Sequence, residues 1–468
     1  MKWLNEGWAV YNEHLFLEKF YGDSTYRKRV RDNHDLVLRK AHVDDDSYLP
    51  VSGVPSEYTY GTTVYKKGGD MIHTLRYYMG DSLFFHCVKN YLADFAFQNA
   101  TTAQLRDYLS QCSGINLNDY FNDWIYAPGF SHFSIEWKQT LATTGSGLLV
   151  NMLIRQRSNH TTHFYNNVPV KISYFDTQWN RTDEVVNVSG ECTSHSSLLS
   201  FEPVYIALDF DQKLQDAISD EWKIIRNQGS YDFGTARTIV NVNSVSDSSL
   251  LRVEYNWVRP EPMKNRIEGL HLHDKHYWTF DGINLENLSA NVRFDYYGND
   301  NSLDAPFISN SEDSIIMLYR ANSDSDWVFV DSFSVSPGSN LNDKLGYVTV
   351  YNIRKGQYTF GIYNSAVTDT STKEGDCQFN SIVEAKIGDK AFKLFPNPST
   401  DMVTIAFERN IFNRASIYNL VGRRFIEQII LPDSDHFNWQ LSDMENGSYL
   451  VTLTAISGNR FSKILIKQ

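Results

Sequence analysis

The chain has 468 residues, a formal net charge of −13 and an apolar fraction of 42%. A chain of this length exceeds what one hydrophobic core usually serves, so the sequence predicts two to four domains. The acidic balance argues against nucleic acid and against an anionic membrane surface as partners. No apolar run approaches the roughly 18 residues of a transmembrane segment, and no signal peptide is visible in the chain.

The first residues place a carboxylate among apolar side chains. Large apolar residues recur at helical spacing over residues 3–16, and Glu6 lies at the edge of their stripe. A buried carboxylate is costly unless a positive charge meets it. Two interpretations stay open from the pattern alone: a partly exposed helix carboxylate, or a carboxylate that meets Arg, Lys or a metal ion.

Residues 1 to about 130 are predicted to be helical. Breakers such as Pro50, Gly53 and Pro55 predict a loop after the first helix, beginning near Gly22. Thr101 followed by Gln104 is typical of a reciprocal helix cap. Cys87 and Cys112 fall on two different predicted helices, where a disulfide is one option and free buried thiols are the prediction. The predicted helices span residues 6–20, 57–79, 82–95, 101–112 and 117–124.

After residue 131 the apolar period changes to two, which predicts strands. The predicted modules are a small β-sandwich over 131–210, a β-rich domain of unknown role over 223–388 and a third β module over 391–468. Residues 211–222 are predicted to be a polar, weakly helical linker. A sandwich or jelly roll is the default expectation for the middle module. Strands are expected there at residues 251–255, 277–280, 291–297, 315–320 and 347–351.

Several motifs follow one another in the helical region. They are W-L-N-E-G-W-A at 3–9, Y-K-K-G-G at 65–69, A-T-T at 100–102 and P-G-F at 128–130. This set, over about residues 1–210, resembles the gluzincin zinc aminopeptidases of the aminopeptidase N type. The resemblance implies an all-α partial peptidase domain (1–130) followed by three all-β sandwich-like modules, and so a multidomain fold class.

The same resemblance implies roles for individual residues. In that family an H-E-x-x-H helix supplies two histidine ligands and a general base, and the Glu of W-L-N-E-G-x-A completes the zinc site. Glu6 matches this metal ligand. Tyr65 matches the tyrosine that donates a hydrogen bond to the oxyanion of the tetrahedral intermediate. Tyr60 precedes it by about one and a half helical turns and is predicted to line the substrate site.

No H-E-x-x-H motif occurs in the 468 residues. The resemblance therefore implies a truncated chain from a secreted zinc metallo-aminopeptidase that acts on peptides, with an incomplete zinc site and no activity alone. Trp3 or Trp8 is expected to be exposed for the same reason. Asn5 is either an ordinary helix residue or a donor that orients Glu6. His14 lies too far along the helix to share a metal with Glu6 and is predicted to be solvated.

The last module opens with L-F-P-N-P at 394–398 and ends with a basic strand. It resembles the C-terminal sorting domain of proteins exported by the type IX secretion system. The resemblance implies that residues 391–468 engage this machinery and that the protein is secreted or held at the outer cell surface. The alternative hypothesis is a non-enzymatic secreted or cell-surface binding protein that uses its β modules, chiefly residues 223–385.

Two further kinds of cluster contain residue types that can bind metal ions. His271, His273 and His276 have strand-like spacing but no convincing carboxylate or thiol partner, so a surface histidine cluster is predicted. The Asp-rich segments 298–304 and 322–326 lack the spacing of a calcium loop and are predicted to be solvated turns.

Overall fold

A computed structural model describes residues 2–142, 148–305, 307–308, 312–338, 343–363, 392–407, 409, 412–419, 424–431, 434–455 and 460–468. The chain divides into two compact units. One comprises Met1–Trp137, Ile154–Thr193 and Pro203–Cys377, and the other comprises Lys138–Leu153, Ser194–Glu202 and Gln378–Gln468. The domain boundaries drawn from the sequence remain predictions.

The described N-terminal residues form α-helices and two π-helical turns. None of the described helices is both long and apolar enough to cross a bilayer. The π-helical turns are Thr63–Lys67 and Phe121–Ile125. The α-helices are α1 (Trp3–Tyr21), α2 (Asp23–Asp44), α3 (Gly68–Met79), α4 (Asp81–Asp94), α5 (Thr102–Ser113) and α6 (Asn118–Tyr120).

Helix α2 occupies a segment that was predicted to be a loop, so that prediction is wrong. Charged residues dominate its sequence and form local pairs such as Lys28 with Asp32. Its buried positions nevertheless recur every three or four residues, as one face of a helix requires. These positions are Tyr26, Val30, Asn33, His34, Val37, Leu38 and Ala41.

Helices α4 and α5 are joined covalently. Cys87 of α4 and Cys112 of α5 form a disulfide, so the prediction of free thiols is wrong. The predicted cap at the start of α5 is confirmed. Thr101 Oγ1 accepts a hydrogen bond from the Gln104 N–H, and Gln104 Oε1 accepts one from the Thr101 N–H.

Two three-stranded sheets follow the helices. Their strand orders are β1-β2-β5 and β4-β3-β6, and β3 pairs antiparallel with both of its neighbours. The change to a period of two near residue 131 is therefore confirmed as a change to strands. The strands are β1 (Phe130–Ala142), β2 (Leu148–Asn159), β3 (Val168–Phe175), β4 (Arg181–Val188), β5 (Cys192–Leu199) and β6 (Tyr205–Leu208).

The region from residue 218 to residue 363 builds two larger sheets. One has the order β15-β14-β18-β12-β10-β7 with β11 paired to β18, and the other has the order β16-β17-β13-β9-β8. Their aromatic side chains contact each other, as where Trp278 meets Phe294 with ring centroids 5.0 Å apart. The strands are β7 (Ile218–Ile225), β8 (Gly229–Phe233), β9 (Thr238–Val245), β10 (Ser249–Asn256), β11 (Leu270–Leu272), β12 (Tyr277–Ile283), β13 (Leu288–Tyr297), β14 (Ile315–Arg320), β15 (Val328–Phe329), β16 (Phe333–Pro337), β17 (Leu345–Val350) and β18 (Gly356–Tyr363).

All five strands predicted in this region are confirmed by β10, β12, β13, β14 and β17. The helical interpretation of residues 211–222 is wrong where β7 begins at Ile218. That strand is fixed by antiparallel pairing with β10, and a buried ion pair joins Asp220 Oδ2 to Arg252 Nε at 2.5 Å. These partners are distant in sequence, so the local pattern did not indicate them.

The C-terminal residues form a three-stranded sheet in the order β19-β20-β23 and a four-stranded sheet in the order β22-β21-β24-β25. Both sheets contribute to one apolar core that includes Val403, Ile417 and Leu465. The predicted segments 420–423 and 458–459 lie outside the described residues. The strands are β19 (Phe392–Phe395), β20 (Met402–Phe407), β21 (Phe412–Asn419), β22 (Arg424–Ile429), β23 (His436–Gln440), β24 (Gly447–Ala455) and β25 (Arg460–Lys467).

The L-F-P-N-P segment is fastened to the last strand. Asn397 Nδ2 donates to the Ile464 carbonyl at 2.8 Å, and Asn397 Oδ1 accepts from the Ile466 N–H at 2.9 Å. The Ser399 N–H donates to the Ile466 carbonyl at 2.8 Å. One asparagine side chain thus replaces a strand partner for the outer edge of β25.

We expect Asn397→Ala to loosen β25, because two hydrogen bonds to its backbone are lost. The cost should be about 1 kcal/mol, since the contacts are exposed. Hydrogen exchange of the Ile466 amide in the full chain should accelerate by roughly fivefold or more. Asn413→Ala, at an exposed position of β21, is the matched control. Equal exchange in both variants would contradict the assigned role of Asn397.

Candidate functional site

Glu6 and Tyr65 are brought together by a close approach of two backbones. Glu6 lies on α1 and Tyr65 lies on the π-helical turn before α3. A Cβ on Gly7 would lie 3.0 Å from Gly68 Cα, and a Cβ on Gly68 would lie 3.0 Å from Gly7 Cα. The glycines of the W-L-N-E-G and Y-K-K-G motifs therefore meet each other, which explains why both motifs carry one.

Glu6 is half-buried and accepts a hydrogen bond from Asn5 Nδ2 at 3.1 Å. Asn5 is thus placed where it can orient the carboxylate, and its role stays a prediction. Desolvation raises the pKa of Tyr65, and the charge and hydrogen bonding of Glu6 raise it further. The phenol of Tyr65 thus keeps its proton at neutral pH and can donate a hydrogen bond.

Lys2 is a neighbour that the sequence reasoning missed. Its Nζ lies 4.9 Å from the centroid of the Tyr60 ring. Hydrogen bonding to Tyr60, followed by the charges of Tyr60, Glu6 and Tyr65, raises the pKa of Lys2. The structure therefore brings Glu6, Tyr60 and Tyr65 around one lysine. Glu6 therefore combines both interpretations. It is partly exposed, and Lys2 is near enough for their charges to interact.

These residues do not fit a zinc ion by themselves. Protein zinc sites use three or four ligands, and Glu6 is one carboxylate beside a lysine. Among the described residues, the group of three or more potential ligands that converges closely enough for a metal is His273, His276 and Asp304, not a group around Glu6.

Lys67 anchors the turn that carries Tyr65. Lys67 is buried, and its Nζ donates to the carbonyls of Leu49 at 3.1 Å and Gly129 at 3.0 Å. The same Nζ lies 4.4 Å from the centroid of the Phe130 ring. The lysine of Y-K-K-G therefore binds the P-G-F motif, so two of the sequence motifs contact each other directly.

A buried polar network continues beneath this turn. Asp70 is fully buried, and its Oδ1 accepts from Asn33 Nδ2 at 2.6 Å. His34 bridges from Asp70 Oδ2, at 3.1 Å, to the Asp216 carbonyl, at 2.7 Å. The network ties α2 and α3 to the segment just before β7, and it holds the turn of Tyr65 because Asn33 Nδ2 also donates to the Lys66 carbonyl at 3.0 Å.

Two predictions about α1 are wrong. His14 is fully buried rather than solvated, and burial lowers its pKa to about 4. Trp3 is only 2% exposed, because it packs at the start of α5 and its Nε1 donates to Thr102 Oγ1 at 2.9 Å. Trp8 is half-buried and stacks on Phe84.

Two family models match this chain, one at each end. Residues 1–124 match the model described as the peptidase family M1 domain. Residues 393–467 match the model described as the secretion system C-terminal sorting domain. Residues 1–124, called the M1 segment below, are thus similar to M1 peptidases, and residues 393–467 are similar to secretion sorting domains. The M1 segment contains Glu6, Tyr60 and Tyr65.

Curated relatives match the M1 segment. A rice protein (Oryza sativa subsp. japonica), aminopeptidase M1-C, is 26% identical over 29% of this chain and 16% of its own length. A yeast protein (Saccharomyces cerevisiae), alanine/arginine aminopeptidase, is 25% identical over 34% of this chain and 19% of its own. Leucyl aminopeptidase of Saccharolobus solfataricus is 27% identical over 27% and 17%. The chain thus spans less than a fifth of these relatives.

Among solved structures, aminopeptidase A of Legionella pneumophila in complex with aspartic acid is similar over 46% of this chain and 23% of its own. The sequence identity is 15% and the TM-score is 0.34.

We expect Lys67→Met to destabilise the helical region, because the carbonyls of Leu49 and Gly129 lose their donor. One buried and one part-buried acceptor without partners should cost about 1–3 kcal/mol. Lys66→Met, at a half-buried neighbour, should stay within about 0.5 kcal/mol of the parent chain. The first unfolding transition in urea, followed by tryptophan fluorescence, measures both. Equal losses for the two variants would refute the anchoring role of Lys67.

Proposed function

We propose that this chain is part of a secreted zinc aminopeptidase that removes N-terminal residues from peptides. The observation that carries the proposal is the pairing of Glu6 with Tyr65 across the Gly7–Gly68 contact. Glu6 is the carboxylate that the family uses as its third metal ligand. The names of the curated relatives, all of them aminopeptidases, agree with this assignment.

Tyr65 is the hydrogen-bond donor of the site. Attack on a peptide carbonyl places negative charge on its oxygen, and a donor held in position stabilises that charge. Because the pKa of Tyr65 is raised, its phenol remains protonated and donates. Lys67 and the buried Asp70 network hold the turn, so the donor need not reorganise during the reaction.

The 468-residue polypeptide by itself is proposed to be inactive. Its sequence contains no H-E-x-x-H, and Glu6 alone cannot hold zinc against water. In the active protein, two histidines and a general base from such a helix would join Glu6, and zinc would polarise the substrate carbonyl.

The sorting domain directs the proposed location. A C-terminal module of this kind supports export by the type IX secretion machinery, with release or retention at the outer surface. The disulfide between Cys87 and Cys112 favours the same compartment, because such bonds persist mainly outside the reducing cytosol.

A non-enzymatic binding role for the β modules is the second candidate. A cleft of about 240 Å³ supports it. Tyr48 stacks there between His42 and His160, with ring centroids 4.4 and 3.9 Å away. Trp257 and Arg259 line the same cleft. Most of the other lining residues are polar or charged, among them Glu261 and Lys275, so the cleft suits a polar ligand.

The purified 468-residue chain should not hydrolyse aminoacyl-arylamide substrates in the presence of zinc. Its zinc isotherm should be unchanged by Glu6→Gln, because one carboxylate contributes too little affinity to register. Isothermal titration and a chromogenic peptidase assay measure the two quantities. Zinc-dependent hydrolysis that disappears in Glu6→Gln would show that the chain is active alone.

Reading the DNA upstream of the Met1 codon tests the family role. An in-frame H-E-x-x-H roughly 18 residues before Glu6 is expected, and its absence would favour the binding role. In the protein expressed with that segment, Tyr65→Phe should lower kcat by roughly 100- to 1000-fold with KM little changed. Tyr60→Phe is the matched control and should act mainly on KM. A Tyr65→Phe enzyme with unchanged kcat would refute the donor role.

A further inference from the structure

His273, His276 and Asp304 form a compact buried cluster in the region of the larger sheets. His273 follows β11, His276 precedes β12, and Asp304 lies in the segment after β13. All three are at most 1% exposed, so the surface cluster predicted from the sequence is wrong for both histidines. Asp304 belongs to a segment predicted to be a solvated turn, and its burial corrects that prediction as well.

The three side chains converge on one point. Asp304 Oδ1 lies 2.8 Å from His276 Nε2 and 3.1 Å from His273 Nε2. Two ligand atoms that bind one zinc ion tetrahedrally lie about 3.3 Å apart. Movements of a few tenths of an ångström would therefore suffice to admit an ion. The potential ligand atoms of the three residues all lie within 4.8 Å of one another.

Hydrogen bonding does not fully account for the cluster. His276 Nε2 forms a hydrogen bond with Asp304 Oδ1. His273 Nε2 is buried and lies 3.1 Å from the same oxygen, but the geometry of this contact is poor for a hydrogen bond. A buried nitrogen without a well-formed hydrogen bond costs free energy unless another group or an ion binds it. This nitrogen is the second observation, besides the convergence, that points to a ligand.

The surroundings hold the ligands in place. Asp304 Oδ2 accepts from the Tyr297 N–H at 2.6 Å, which leaves Oδ1 to face the histidines. His273 Nδ1 accepts from the N–H groups of Lys275 at 3.2 Å and His276 at 3.3 Å. Binding of an ion through His273 Nε2 would displace the proton that this tautomer carries there.

The rings around the cluster exclude water. Tyr255 stacks on His276 at 4.5 Å, and Phe307 packs edge-on against His273 at 4.5 Å. The nearby cation Arg237 is compensated by Asp35, whose Oδ1 lies 2.7 Å from Arg237 Nη2.

We propose that His273 Nε2, His276 Nε2 and Asp304 Oδ1 bind a divalent transition-metal ion of the zinc class. Two imidazoles and one carboxylate suit zinc, whereas calcium and magnesium prefer oxygen ligands alone. The ion ties the turn between β11 and β12 to the segment after β13. This proposal stands independently of the peptidase assignment, because none of its ligands belongs to the Glu6 site.

The test uses the purified 468-residue chain after chelator treatment. Titration with Co²⁺ should load about one ion per chain and give the visible absorption of a tetrahedral site. Asp304→Asn and His276→Gln should weaken the affinity by about tenfold or more. Two controls should bind as the parent does: Glu6→Gln, and His271→Gln just before the cluster. Circular dichroism verifies that the variants fold.

X-ray absorption of the zinc-loaded parent chain provides a readout that needs no variant. Two imidazole nitrogens at about 2.0 Å from zinc, with no sulfur, are expected. The proposal is overturned if the parent chain binds neither Co²⁺ nor Zn²⁺ at micromolar concentration, if imidazole scattering is missing, or if both ligand variants bind like the parent. Loss of binding in either control variant would overturn it equally.

Discussion

The contact between Gly7 and Gly68 is the constraint on which the N-terminal site depends. At a Cβ-to-Cα spacing of 3.0 Å, no other residue fits at either position without a shift of one helix. The contact sets the separation between α1 and the turn before α3, and with it the relation of Glu6 to Tyr65. The W-L-N-E-G and Y-K-K-G motifs are therefore two halves of one packing interface, and their chemistry follows from that interface.

Motif residues and alternating strands were readable from the sequence because their signal is local. Glu6 and Tyr65 lie in short motifs, β13 alternates clearly, and β14 is a short apolar run. Helix α2 was missed because its charged residues outweigh its buried stripe, although that stripe recurs at helical spacing. The apolar signal is interrupted, because positions i+7 and i+8 from Tyr26 are Asn33 and His34, and it resumes only at Val37, Leu38 and Ala41.

The remaining errors share a physical cause, which is burial of polar groups by partners far along the chain. His14 lies on a helix whose other residues are mostly half-buried or exposed, and nothing nearby in sequence marks its pocket. His276 meets Asp304, 28 residues later, only because β12 and β13 bring the two segments together. Lys67 likewise finds its acceptors at Leu49 and Gly129. Sequence periodicity describes which face is apolar, but not which polar group another segment covers.

The Cys87–Cys112 disulfide and the C-terminal module are both typical of exported proteins, for independent reasons. The disulfide between Cys87 and Cys112 lies in the helical region. Such bonds persist mainly in oxidising compartments. Residues 393–467 are similar to secretion system C-terminal sorting domains. Their L-F-P-N-P segment is held through Asn397 to the backbone of the last strand, so that the motif and the C-terminal edge form one surface.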